Sequence, residues 1–434
     1  MLKRSPRYVA DLALRYEGVV LLVAAPFLLF PNSITPFALA LLALPWLLRW
    51  WRHGFLTRRT PLDWPLALLA LMAFVGARQA VDPALALPKL LGILLSLATF
   101  YTVINTTHHI RHAWLWIALL LILGLGLALL GALGADWFER KIFNLGGLYR
   151  HLPRLPEALR QRLQGGDFHP NEIAGMISLF LPLSLAMWWG AWRRSSDPAW
   201  PQRALPAQRL LLTLIVAILG SVLLLTQSRS AILGLLLTAG VVALVWQWRL
   251  VVFLPVPGAG VYWLLRDSSQ WLLAQPGADP ANLVGRMDIW QRALLAVADF
   301  PLTGIGLGTF RRLAIAYAPF FDVDPVLADV GHAHNIFLQT ALDMGIPGLV
   351  AYVAVLLLVA GMGWSLYKRT TSPTGRLLSA GLLTSLLAFH IFSLTDAVAP
   401  GAKPVFTLWM FVGMIVALGQ ANVIGNLPQR DLKT

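Results

Sequence analysis

Long apolar stretches, each closed by charged or turn-forming residues, recur along the whole chain. They predict twelve helices, at about 17–31, 34–51, 61–77, 88–105, 113–133, 171–192, 209–226, 231–248, 250–265, 345–366, 377–395 and 404–424. Most approach the roughly 20 apolar residues that cross a bilayer. The pattern therefore predicts an all-α, polytopic integral membrane protein, a single membrane domain over 1–434. Lys3, Arg4 and Arg7 precede the first stretch as they would in a signal peptide. No small-residue cleavage site follows and the second stretch comes at once, so the first is expected to be retained. Two long segments, 134–170 and 266–344, are left over. Connections are ordinarily short, so these two are expected to do more than connect. The first carries the amphipathic LPEALRQRLQGG (155–166), suited to a membrane interface. The second carries a helix-like run from Arg286 to Asp299, the turn sequence PLTGIGLGTF (301–310) and a histidine-containing helix start at 332–335. No internal repeat of helix pairs is visible, which counts against an inverted-repeat transporter.

Composition sharpens this picture. The chain is 58% hydrophobic and 12% charged, against about 45–50% and 25% for soluble domains, which excludes a water-soluble fold. It has no cysteine, so disulfides, thiol nucleophiles and cysteine metal sites are excluded. The net charge of +14 would suggest nucleic acid for a soluble protein, but here it sorts by side. With both termini on one face, the segments there hold nineteen basic and five acidic residues, the whole excess, while the other face is neutral. The positive-inside rule makes the charged face cytoplasmic. It removes nucleic acid as a partner and leaves 134–170 and 266–344 outside.

The outer face carries the residues suited to chemistry. Arg229, within TQSRSAILG (226–234), stands between two spans almost without a loop. It either snorkels to headgroups or serves as a fixed cation for an anionic ligand, whose oxygens its guanidinium fork matches. Arg286 and Trp290 share a helix face, either as a cation–π pair or as a ligand-facing arginine braced by an indole. Asp288 and Arg292, at the same spacing, read as a solvated ion pair. His334, placed in a first helical turn, would feel the positive end of the dipole and stay neutral, as a general base must. A capping or core histidine is the plainer alternative, and His332 competes for the same role. His169, ahead of Pro170 and Asn171, reads equally as a ligand contact or a helix-start signal. The glycines of 301–310 follow no strand, so a dinucleotide site is not expected. Asp322 and Asp324 lack further ligands nearby, so no metal and no cofactor are expected.

Several of these pieces occur in one order: HPN (169–171), SRS (228–230), GRMDIW (285–290), PLTGIGLGTF (301–310) and HNIFLQTALDMGIPGL (334–349). The ordered set resembles the O-antigen ligase/polymerase superfamily of bacterial envelope glycosyltransferases over about residues 165–350. In length and in lacking a long soluble extension, the chain is most similar to the O-antigen ligase branch, often called WaaL. The resemblance implies a GT-C-like enzyme of the bacterial inner membrane. It would move a preassembled glycan from undecaprenyl pyrophosphate to a sugar of the lipid A core on the periplasmic face, with inversion and without metal or nucleotide. By position, His334, Arg286 and Arg229 match the family's functional residues. Arg154, Arg160 and Arg162 would meet phosphates of the acceptor or headgroups, and His169, Trp290, His332 and Asn335 complete the expected substrate contacts. O-antigen polymerase and protein O-oligosaccharyltransferase are enzyme alternatives. A lipid or glycan transporter is the non-enzyme alternative, disfavoured because the cations cluster on one side while the span centres are nearly charge-free.

Overall fold

In the computed structural model the apolar stretches are helices. The structure describes residues 6–135, 137, 142–159, 169–193, 200–201, 205–249, 283–314, 316–317, 330–396, 398 and 400–420. The helices are α1 (Pro6–Arg15), α2 (Glu17–Leu29), α3 (Thr35–His53), α4 (Asp63–Gln79), α5 (Pro83–Thr106), α6 (Ile110–Gly134), α7 (Gly146–Tyr149) and α8 (Pro170–Arg193). They continue with α9 (Leu205–Thr226), α10 (Arg229–Trp246), α11 (Leu283–Asp299), α12 (Phe310–Leu313), α13 (Ile336–Arg369), α14 (Pro373–Phe392) and α15 (Phe406–Gln420). No strand occurs among the described residues. Eleven of the twelve predicted stretches coincide with helices, and the twelfth, 250–265, lies outside the described residues. Among the described residues, seven helices are long and apolar enough to cross a membrane: α5, α6, α8, α9, α13, α14 and α15 with its leading turn from Lys403. Two shorter apolar helices, Glu17–Leu29 and Arg229–Val245, accompany them.

Local chemistry explains where these helices begin and end. Asp82 accepts the Ala84 N–H and Pro83 sits in the first turn, which starts α5. Ser372 and Pro373 start α14 in the same way. Gly54, left-handed at φ 79°, ends α3 after Arg52 and His53. α15 is buried from Thr407 to Leu418 and lies at the centre, against α5 and α13. Its Phe411 meets Phe180 of α8 edge-on at 5.7 Å. By contrast Leu115, Leu210 and Leu357 stand exposed on outer helix faces, as a hydrocarbon environment requires.

One sequence expectation for the segment 266–344 changes here. Asp288 and Arg292 do form a 2.6 Å ion pair, but with only 12% and 9% of their side chains exposed, so it is buried instead of solvated. Arg292 also donates to the Ala314 carbonyl at 3.2 Å, fastening α11 to the chain beyond α12. The turn 301–310 is a backbone clamp. Ile305 N–H bonds the Leu342 carbonyl, Leu307 N–H bonds that of Gly76, and Ile346 N–H bonds that of Pro301. At the far side of the clamp α13 breaks at Gly345, the predicted stop, with φ 69° and ψ 178°. That backbone conformation is essentially reserved for glycine. A Cβ there would stand 2.4 Å from the Leu302 carbonyl oxygen.

Candidate functional site

The break at Gly345 leaves a short helix, 336–344, that presents its N-terminus to the candidate site. Asn335 caps it, accepting the N–H groups of Phe337 and Leu338. Its amide also donates to the Leu394 carbonyl at 3.0 Å. His334 therefore precedes the cap and is not in the first helical turn, which corrects the position read from sequence. Its φ is 47°, an unusual conformation for a non-glycine residue, worth about 1–3 kcal/mol of strain.

The surroundings hold that conformation in place. Ala333 N–H donates to Gln339 Oε1 at 2.8 Å, and the Ala333 carbonyl accepts from Trp290 Nε1 at 3.0 Å. Gln339 is fixed by Asp343, which also receives Gly308 N–H and pairs with Lys89 at 2.6 Å. Trp290, read as either a cation–π partner or a brace for Arg286, braces the histidine loop. Ile336 N–H bonds the Ser393 carbonyl, tying the loop to the turn after α14.

That turn supplies the residue sequence reasoning missed. Asp396, 3% exposed, accepts from His334 Nδ1 at 3.0 Å and from Arg286 Nη2 at 3.1 Å, one carboxylate oxygen each. The other terminal nitrogen of Arg286 donates to Ser230 Oγ at 3.1 Å. One buried carboxylate therefore links two of the three predicted catalytic residues, and Ser230 brings in the corner that bears the third. Burial alone would raise the Asp396 carboxyl. The His334 hydrogen bond and the charge of Arg286 outweigh it and hold Asp396 well below the usual carboxylate range. A neutral imidazole donating from Nδ1 has Nε2 as an acceptor, the arrangement a general base needs.

Arg229 is the first residue of α10, at the sharp corner after α9 where Gln227 has φ 49°. Gln227 is buried and fully engaged. Its Oε1 accepts the N–H groups of Ile142 and Phe143 at 2.7 Å, and its Nε2 donates to Tyr149 Oη at 2.7 Å. The corner is thereby locked to residues 142–149. Arg229 itself is half-buried at a helix N-terminus, where the dipole disfavours a cation and favours an anion. Ser228 Oγ, Ser393 Oγ and Arg286 Nε are buried with no hydrogen-bond partner among the described residues. Such groups ordinarily find one in water or ligand.

His332 packs edge-on against His334 with ring centroids 4.2 Å apart, and its Nδ1 accepts the His334 N–H at 3.2 Å. Burial pushes it down to about 3, so it is neutral near pH 7. His169 is exposed, and its Nδ1 accepts the Asn171 N–H as a helix start. Arg154 is exposed beyond α7, while Arg160, Arg162, Asp322 and Asp324 lie outside the described residues. A hollow of about 220 Å³ borders the loop at Gly331 and is rimmed by Lys89, Arg311 and Lys403, cations not singled out from sequence.

His332, His334 and Asp396 offer ligand atoms within 4.8 Å of one another, close enough to hold a metal ion. Both Asp396 oxygens are already engaged, one by the Arg286 guanidinium, and His332 Nδ1 is taken by a backbone N–H. A divalent ion would have to displace these bonds beside a fixed cation, so the donor set suits an anion-binding base cluster better than a metal site.

Comparison with known proteins agrees with the sequence resemblance. Residues 214–353 match the family model described as O-Antigen ligase, a stretch that includes Arg229, Arg286 and His334. The chain is 28% identical over 260 residues to the O-antigen ligase of Pseudomonas aeruginosa, covering 58% of each protein. It is 22% identical over 156 residues to the teichuronic acid biosynthesis protein TuaE of Bacillus subtilis, covering 36% of this chain and 30% of that one. The alignments thus span well under two thirds of the length of these curated relatives.

Proposed function

We propose that this chain, a member of the O-antigen ligase family, transfers a preassembled glycan from undecaprenyl pyrophosphate to a sugar of the lipid A core. On this reading the work is done at the periplasmic face of the bacterial inner membrane, with both termini cytoplasmic. The observation that carries the proposal is the continuous His334–Asp396–Arg286–Ser230 chain of contacts. It supplies a base and a cation at one point, beside the corner bearing Arg229.

The chemistry follows from that geometry. His334 Nε2 takes the proton of an acceptor hydroxyl while Asp396 holds the imidazole in the required tautomer and stabilises the imidazolium. The acceptor oxygen attacks the anomeric carbon from the face opposite the leaving group, so the configuration inverts. The bond to the pyrophosphate breaks, and its electron pair leaves with undecaprenyl pyrophosphate. Arg229 and the remaining N–H groups of Arg286 stabilise the charge that develops there. Lys89, Arg311 and Lys403 suit further phosphates of either lipid. No step requires a metal or a nucleotide. Attack from the membrane boundary suits two lipid substrates, neither of which would readily enter a soluble domain.

A deletion strain scored on a lipopolysaccharide gel tests this directly. Core lacking O-antigen together with accumulated lipid-linked polymer is the expected result. Core bearing a single repeat would instead establish a polymerase, and an unchanged ladder would overturn both.

A further inference from the structure

A cleft of about 990 Å³ opens at the end of the molecule remote from His334. The separation is fixed by α5, whose Lys89 end meets Asp343 beside the histidine loop and whose Thr106 end lines the cleft. At 1.5 Å per residue those points are about 25 Å apart along the helix axis.

The cleft is polar at one end and apolar at the other. Its polar end is built from Arg15 at the close of α1, Arg49 and His53 of α3, Arg58, and His108 with His112. Among the described residues, Asp11 is the sole acidic residue in the lining, and Arg52 neutralises it through a two-bond contact. Arg49 is neutralised by Glu17. Arg58 donates to the Ile104 carbonyl at 3.2 Å and, among the described residues of the lining, its charge meets no acid. Arg15 is exposed in the last turn of its helix, so two cationic side chains face the opening without a compensating carboxylate in the wall.

The apolar end rises from there between two helices. α2 leaves Glu17 and presents Val19 and Leu22, while α6 leaves His112 and presents Leu115 and Leu119 one and two turns further on. Trp116 forms the back wall beside Gly18. Val19, Leu22 and Leu115 are 54%, 44% and 69% exposed, so the channel is open sideways to hydrocarbon. Cations at one end and an open apolar channel leading up from them match an anionic amphiphile lying along the helices.

We propose that this cleft is a binding site for an anionic membrane phospholipid, held in the leaflet opposite the His334 cluster. Its phosphate sits between Arg15 and Arg58, and one acyl chain lies along Val19, Leu22, Leu115 and Leu119. The lipid bridges α1 and α2 to α6. The site is independent of the glycan transfer proposed above.

The test uses the full chain in phosphatidylcholine nanodiscs doped with a photoreactive phosphatidylglycerol or, separately, photoreactive phosphatidylcholine. The anionic probe should label peptides from 17–29 and 110–134 at least tenfold more than the zwitterionic one. Arg15→Glu should lower that labelling at least fivefold. Leu119→Trp, which fills the channel without altering charge, should lower it for either probe. Equal labelling by the two probes, labelling confined to other helices, or labelling unchanged in both variants would overturn the proposal.

Discussion

Replacing Asp396 with asparagine tests the candidate site at the buried carboxylate that links His334 to Arg286. The side chain is 4% exposed and accepts from His334 and Arg286, and the Arg286 side chain is 10% exposed. Removing the charge leaves a buried guanidinium uncompensated, at a cost of about 3–5 kcal/mol. Against a typical total of about 5–15 kcal/mol the variant should still fold, with a lowered Tm. The amide can accept only through its oxygen. If Arg286 takes that oxygen, the amide NH2 faces His334 Nδ1 and forces the proton onto Nε2, where the base must be bare. Transfer should then fall about 10²–10⁴-fold, the range for losing a positioned general base, while donor affinity moves much less. Single-turnover transfer and donor binding, measured separately on purified protein, decide it. The double variant Arg286→Gln/Asp396→Asn should regain part of the Tm but none of the rate, because it removes the buried charge without restoring the base. Near-normal transfer by folded Asp396→Asn, or full activity in the double variant, would show that Asp396 does not hold the His334 base.

Arg286→Ala and Arg229→Ala should weaken both donor binding and turnover, and lysine should rescue either only in part, since it keeps the charge but loses the fork; full rescue would show that charge alone matters. Gly345→Ala should cost at least about 1–3 kcal/mol, because no L side chain tolerates that backbone well and its Cβ would meet a carbonyl oxygen; an unchanged Tm would contradict the clamp described for 301–310. His332, pushed down to about 3, refuses a proton that the unfolded chain accepts near pH 6.5. Its contribution is therefore complete above that pH and drains as pH falls toward 3, so His332→Gln should flatten the loss of Tm between about pH 7 and 5, and an identical slope would contradict this. Transfer should persist in excess chelator; loss that Mg²⁺ or Mn²⁺ restores would instead make His332, His334 and Asp396 metal ligands.

The helical membrane fold was legible because a span must be continuously apolar, and that constraint is written residue by residue into the chain. The break at Gly345 was legible too, since glycine followed by Pro347 marks a helix stop. Asp396 was not. It sits in SLTDAVAP after α14, one polar residue among many, and its role comes from packing against His334 and Arg286, 62 and 110 residues away in sequence. The one available signal was an acidic residue at the outer end of a span, where charge is costly without a partner. His334 was singled out from its chemistry but placed inside the helix, whereas Asn335, which follows it, is the cap. The burial of Asp288 and Arg292 was likewise hidden, since i,i+4 spacing is the same on a wet face and a dry one.

Glycan transfer between lipids should be centred on the His334 cluster. The most direct measurement supplies purified, reconstituted protein with a polyprenyl-pyrophosphate-linked glycan and lipid A core, and follows formation of the joined product in one turnover. The account predicts product with the native chain, and with His334→Ala a rate at least about 10²-fold lower at nearly unchanged donor affinity. Native-like turnover by His334→Ala would contradict it.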